Sequence, residues 1–295
     1  MNTPDPLTKL GLGTVQFGLP YGIANRQGQV GTVAVGQILD DARAAGVSTL
    51  DTAIAYGESE RALGQHDLSG FAIVTKLPEL PEDCSDIAGW VESELAGSLQ
   101  RLAVSQVDSL LLHRPMQLLD KDGEQLFTAL TALREQGLVR RIGVSVYAPQ
   151  ELESLCERYH FDLVQAPFNL LDKRLEQSGW LDRLYASKTD LHVRSVFMQG
   201  LLLMSNDERP AKFSRWSEQW RLWHAWLAQA GLTPLQACLR HALAVTQVER
   251  VVVGVDSPEQ WRQILQAAAG DCPVTPSALG CTDVELLNPA LWSTL

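Results

Sequence analysis

The sequence has no Cys-x-x-Cys pair, and its five cysteines, Cys84, Cys156, Cys238, Cys272 and Cys281, are scattered and odd in number. An odd set excludes a complete disulfide framework, so the thiols read as those of a reducing cytoplasm. No run of Lys or Arg offsets the formal net charge of −11 and the pI near 5.0. That balance argues against nucleic acid and anionic membrane surfaces as partners. No stretch approaches the roughly eighteen consecutive apolar residues of a membrane span, and MNTPDPLTKL lacks a basic segment followed by an apolar one. Neither export nor membrane insertion is expected, and the expected compartment is cytoplasmic. No Pro-, Gly- or Ser-rich linker divides the chain, which predicts one domain over residues 1–295, and no metal is expected.

What the sequence does contain is a repeat. Its 295 residues are 45% hydrophobic and 20% charged, enough for a sizeable core. Eight short runs rich in Val, Leu, Ile and Thr recur: 10–14, 48–51, 71–75, 107–112, 141–145, 162–166, 192–196 and 249–254. Several are too apolar for half-exposed antiparallel strands and fit the two-sided burial of a parallel sheet. Between them, segments such as 86–102, 123–137 and 258–270 have helical period, and Gly137 stands where a helix C-cap would. Eight βα units without a linker predict a single closed (β/α)8 TIM barrel. An N-terminal dinucleotide fingerprint is rejected, because GLGTVQFG has Gln16 where GxGxxG needs glycine.

Two segments depart from the repeat. Residues 199–213, after the seventh strand, are too many for an ordinary βα loop and sit where they would fold over a ligand. Just beyond, Trp216, Trp220, Trp223 and Trp226 share one helical face, which reads as packing on the barrel or on a second subunit. Residues 271–295, with three prolines and Trp292, form a tail placed to cap one barrel end.

Catalytic groups of such barrels come from the C-terminal strand ends and the loops beyond them. Here strand two ends on Asp51, with Tyr56 in the following loop; Lys76 follows strand three and His113 follows strand four. Strand five ends on Ser145, strand six carries Gln165, and strand seven carries Arg194 and Ser195. Each has an ordinary reading: Asp51 as a helix cap, Lys76 snorkelling to solvent, His113 hydrogen-bonded in the core. Consecutive junctions supplying proton-active groups to one rim favour a site over separate accidents.

In LGLGT, LDTAIAYGESE, IVTKLP, SLLLHRP, RIGVSVY, LVQAPFNLLD, SVFMQGLL and VVVGVDSPEQ the chain resembles the aldo-keto reductase superfamily, over nearly its whole length and in motif order. The resemblance implies NAD(P)H-dependent interconversion of a small-molecule aldehyde or ketone with its alcohol, with a tetrad of Asp51, Tyr56, Lys76 and His113. Tyr56 would donate the proton, Lys76 would favour its phenolate, Asp51 would hold Lys76 charged, and His113 would orient the carbonyl. The physical case is independent of the name: hydride addition creates an alkoxide that needs a proton donor within reach. A tyrosine, with pKa about 10, becomes a useful acid if a lysine ammonium at about 4 Å contributes about 4 kcal/mol at an effective dielectric near 20.

For the cofactor, NADP(H) or NAD(H), the resemblance assigns Ser145 and Gln165 to the nicotinamide carboxamide. It places Ser195 and Gly200 near the pyrophosphate, and residues from Gly254 through Asp256 to Gln260 near the adenosine. Three departures from the family pattern stand out: Val146 replaces the usual Asn, Arg194 replaces an aromatic and would stack through its guanidinium, and Asp256 and Gln260 stand where basic residues usually meet a 2′-phosphate. With Arg262, Lys212 or Arg215 placed to compensate, the two cofactors are expected to bind within about tenfold of each other, or roughly 1.4 kcal/mol. Two rivals remain: a cofactor-binding regulatory barrel with little turnover, and a Schiff-base lyase using Lys76, which Asp51 disfavours. The substrate depends on loops 18–31 and 199–215 and on the tail, and neither it nor the oligomeric state follows from these residues.

Overall fold

Eight strands close on themselves in the computed structural model, which describes residues 5–295. Residues 1–4, the start of the stretch read for a leader, lie outside the described residues. The strands are β1 (Leu10–Gly13), β2 (Thr49–Asp51), β3 (Ala72–Leu77), β4 (Val107–Leu112), β5 (Val139–Ser145), β6 (Leu163–Pro167), β7 (Asp190–Arg194) and β8 (Arg250–Gly254). All pair in parallel in chain order, and β8 closes against β1. The expected TIM barrel is therefore present, each predicted run falling on a strand.

Strand ends differ from the sequence reading at two places that matter. β3 continues to Leu77, so Lys76 lies inside the strand instead of following it. Ser195 lies beyond β7 instead of on it, because its φ of 61° takes the backbone out of the extended region.

Side-chain alternation explains the interior. Val74, Leu111 and Leu163 form a small buried cluster separate from the large outer core. Residues two positions further along share the same face. Those residues are Lys76 on β3, His113 just after β4 and Gln165 on β6. Two positions before Leu111 is Ser109, and two before Gly143, which pairs with both Leu111 and Leu163, is Arg141. The interior is thus apolar at mid-height and polar at both ends.

The predicted helices form at Ile87–Leu102, Gly123–Glu135 and Pro258–Ala267. Asp86 accepts a hydrogen bond from the Gly89 N–H at 3.0 Å, and Ser257 accepts one from the Gln260 N–H at 3.2 Å, so both starts are capped by side chains. Gly137 has a φ of 76° just past the second helix, as its reading as a C-cap requires.

The tryptophans pack within the chain. Trp220, Trp223 and Trp226 lie buried on the helix Ser217–Ala230, and Trp216 on the 3-10 turn before it. Their indole N–H groups tie the mouth segments down: Trp223 donates to the Leu202 carbonyl at 3.2 Å and Trp216 to Asp283 at 2.9 Å. Burial of each large side chain stabilises by roughly 1.5–3 kcal/mol, so this helix anchors both the long β7 loop and the tail.

Candidate active site

The C-terminal mouth of the barrel opens into a cleft of about 600 Å³. Asp51, Tyr56 and His113 line one part of it, and Gly254, Asp256 and Gln260 another. The volume suits a small-molecule or cofactor site.

Tyr56 is positioned by its short loop. The Ser59 hydroxyl donates to the Thr14 carbonyl at 2.8 Å and lies within hydrogen-bond distance of the Thr14 and Thr52 hydroxyls. Gly18 packs directly on this turn: a Cβ there would stand 1.8 Å from the Tyr56 carbonyl oxygen, so only glycine permits the approach. The Tyr56 ring meets His113 edge-on, with centroids 5.8 Å apart, and the Lys76 ammonium lies 5.0 Å from the Tyr56 ring centroid.

Lys76 is fully buried and does not line the cleft. Its Nζ donates to Asp51 Oδ1 at 2.7 Å and to the Thr52 carbonyl at 2.8 Å. Burial pulls its pKa down, but the Asp51 and Tyr56 charges overcome that and leave it raised. Lys76 therefore carries its charge at neutral pH. His113 behaves oppositely: burial, then the neighbouring Lys76 and Arg194 cations, lower it to about 4. At neutral pH its imidazole is uncharged and offers one N–H as a donor.

Ser145 and Gln165 are fully buried and turn toward the tetrad. Gln165 Nε2 donates to Asp51 Oδ2 at 2.6 Å, and the Ser145 hydroxyl donates to Gln165 Oε1 at 3.2 Å. Both oxygens of Asp51 are thereby engaged, one by Lys76 and one by Gln165. Arg194 donates to the Val146 carbonyl at 2.9 Å and lies 4.9 Å from the Tyr147 ring centroid, so its guanidinium already stacks on an aromatic of its own chain.

After β7, Ser195, Met198, Gln199 and Gly200 all have positive φ, at 61°, 47°, 54° and 90°. Three of these are non-glycine residues, an expensive concentration of left-handed backbone in six positions. The loop after β1, residues 18–31, straps over to it. Gln199 Nε2 donates to the Tyr21 hydroxyl at 3.0 Å, the Ala24 N–H donates to the Gln199 carbonyl at 3.3 Å, and a Cβ on Gly200 would meet that of Ala24 at 2.4 Å. Further on, Asn25 donates to Asp256 Oδ1 at 3.1 Å, so the strap bridges the ends of β7 and β8.

Among the cleft residues that sequence reasoning missed are Gln16, Tyr21, Asn25, Tyr147 and Gln263. Tyr147 was within reach, since it stands two positions beyond Ser145. Gln16, used only to dismiss a fingerprint, has a buried Oε1 without a hydrogen-bond partner, seated where a Cβ on Gly254 would lie 2.5 Å away. Tyr21 and Asn25 gave no signal beyond membership of a loop.

The aldo/keto reductase family model matches residues 9–273. The oxidoreductase YqkF of Bacillus subtilis is 25% identical over 257 residues, covering 78% of this chain and 81% of its own. D-threo-aldose 1-dehydrogenase of a Pseudomonas species is 28% identical over 193 residues, or 62% of this chain and 58% of its own. Among solved structures, the holo form of the aldo-keto reductase AKR11C1 from Bacillus halodurans superposes with a TM-score of 0.71 at 19% identity, over 90% of this chain and 88% of the other. No helix of the described residues is long and apolar enough to cross a membrane.

Proposed function

The chain belongs to the aldo/keto reductase family, and from that premise we propose that it is a nicotinamide-dependent enzyme interconverting an aldehyde or ketone with its alcohol, with Tyr56 as the proton donor. The observation that carries this reading is the Lys76 ammonium, 2.7 Å from Asp51 and 5.0 Å from the Tyr56 ring centroid, beneath a cleft lined by Tyr56 and His113. The residues fit a dinucleotide: the cleft carries an unpartnered Gln16 oxygen, a glycine seat at 254, and a compound left-handed turn at 195–200 of the kind that forms anion-binding concavities. Ser195 and Gly200 would lie at the pyrophosphate, and Gly254, Asp256 and Gln260 at the adenosine. The bound nicotinamide supplies or accepts the hydride.

The remaining chemistry belongs to the protein. The neutral His113 donates a hydrogen bond to the carbonyl oxygen and fixes its orientation. Tyr56 passes its proton to the oxygen as the alkoxide forms and recovers one from solvent afterwards. At about 5 Å and an effective dielectric near 20, one charge stabilises another by about 3 kcal/mol, against about 1 in water, so the dry setting of Lys76 decides how much charge Tyr56 can develop. Asp51 holds Lys76 charged. Gln165, backed by Ser145, fixes the second oxygen of Asp51; in the bound state this pair would also face the carboxamide assigned to it by family resemblance. The raised pKa of Lys76 weighs against its use as a Schiff-base nucleophile, which needs the neutral amine.

A panel of aldoses, keto sugars and aromatic aldehydes, followed by absorbance of the reduced nicotinamide, tests the reading. Aldoses belong in it because D-threo-aldose 1-dehydrogenase is among the relatives. Turnover of at least one carbonyl class, abolished by Tyr56→Phe, is expected. Trapping of a substrate on Lys76 by borohydride would replace the reading with a lyase.

A further inference from the structure

Among the described residues, no Lys or Arg lines the adenosine end of the cleft, where a 2′-phosphate would lie. The near-parity expected from sequence rested on Lys212, Arg215 or Arg262 folding over, and each is engaged elsewhere. Lys212 donates to the Trp292 carbonyl. Arg215 pairs with Glu285 and, at 3.7 Å, with Asp283. Arg262 lies between Asp41 at 3.0 Å and Glu259 at 3.3 Å. Arg26, exposed on the strap beside Asn25, makes no ion pair among the described residues and does not line the cleft.

What faces the cleft instead is a carboxylate among amides. Asp256 Oδ1 accepts from Asn25, the Asp256 N–H donates to Gln260 Oε1 at 2.9 Å, and Gln263 lines the wall beyond. The buried Gln16 Oε1 has no partner. These groups are acceptors and neutral donors, which suit hydroxyls. A phosphate carrying close to two negative charges would meet Asp256 as a like charge and would forgo the charge-assisted bonds that normally offset its desolvation. A ribose hydroxyl donates to Asp256 and accepts from an amide.

Building on the nicotinamide reading above, we infer that Asp256, held from the strap by Asn25, reads an unmodified ribose 2′-hydroxyl, so that the chain selects NAD(H) over NADP(H). Asp256 is the specificity-determining residue and Asn25 its positioning partner. Burial lifts the Asp256 carboxyl above its ordinary value, against the pull of Gln260 and Gln16, and a hydroxyl donating to it favours the ionised form.

Fluorescence titration of the full-length protein with NADH and with NADPH tests the inference without any substrate. NADH is expected to bind at least tenfold more tightly. Asp256→Arg should reverse the order, and Asn25→Ala should weaken NADH more than NADPH and so narrow the ratio. A wild-type ratio below tenfold, or a reversed one, overturns the inference while leaving the carbonyl-reduction reading intact; if Arg26→Ala then removes NADPH binding, the strap cation is the phosphate reader instead. Binding of neither nucleotide overturns both readings. The wild-type ratio decides the matter even where a variant fails to fold.

Discussion

At the N-terminal end of the barrel Arg141 is ringed by acids, whereas at the C-terminal end Lys76 meets Asp51 alone. Arg141 reaches Asp108 at 2.7 Å, Asp190 at 2.6 Å and Glu249 at 3.0 Å, and the fully buried His192 adds a 3.1 Å contact to Glu249. Around Lys76 the other neighbours, His113 and Arg194, carry no negative charge, and the cleft lies directly above. The two ends share residue types and stand on the same alternating face, separated by Val74, Leu111 and Leu163. Excess of counter-charge over a closed floor makes a structural plug, while a single ion pair under an open volume leaves charge available to whatever enters. A buried ion pair is thus a poor indicator of function until its surroundings are counted.

Removing one group at each end should separate the two ion pairs by effect. Tyr56→Phe should lower kcat by roughly 10²- to 10⁴-fold with the dinucleotide dissociation constant and the melting temperature near wild type. Retention of more than about a tenth of wild-type kcat would take the proton-donor role away from Tyr56. Arg141→Met should do the reverse. Taking the shared cation from three carboxylates, of which Asp108 keeps Arg140 and Glu249 keeps His192 and Arg250, costs up to about 3–5 kcal/mol, which lowers the thermal midpoint by roughly 10 °C, with kcat/KM of the folded protein changed less than about twofold. A variant at Arg141 that kept its midpoint and lost turnover would show that the plug communicates with the mouth.

Acidity should separate the ends more gently. Burial opposes it, but the bond to His192 and the charges of His192, Arg141 and Arg250 depress Glu249 to about 2, below its unfolded value. A depressed carboxylate contributes stability that is present above about pH 4.5 and lost as pH falls toward 2, so Glu249→Gln should flatten the acid limb of a stability curve in that window. At the mouth, His113 titrates near pH 4 and stays neutral above it. The plot of kcat/KM against pH should therefore show no break near 6.5, the usual histidine value. A break there would mean that His113 acts as an imidazolium.

Much of this was legible because strand direction is legible. Once eight parallel runs are placed, Asp51, Lys76 and His113 fall at strand ends that face the mouth, and the closed barrel brings them together. Arg141, His192 and Glu249 stand at the beginnings of the same runs, where a polar side chain reads as facing solvent. The strap was illegible for a different reason. Its contacts, Asn25 with Asp256 and Ala24 with Gly200, join residues about 175 to 230 positions apart through loops whose periodicity carries no information. The turn of Gln165 onto Asp51 was equally hidden, since both cofactor contact and tetrad support call for an amide at that position.

The strap also sets a clock. Three hydrogen bonds hold it to the far side of the mouth, from Ala24, Asn25 and Gln199. At about 1 kcal/mol net for each, these bonds alone would hold an open strap to roughly one molecule in a hundred or two. A ligand long enough to run beneath the strap arrives at a rate discounted by that fraction and, once enclosed, departs only on the same rare occasions. Shortening the wait by loosening a loop, with no change to any group that touches the reacting atoms, becomes a separate route by which sequence adjusts how often the barrel turns over.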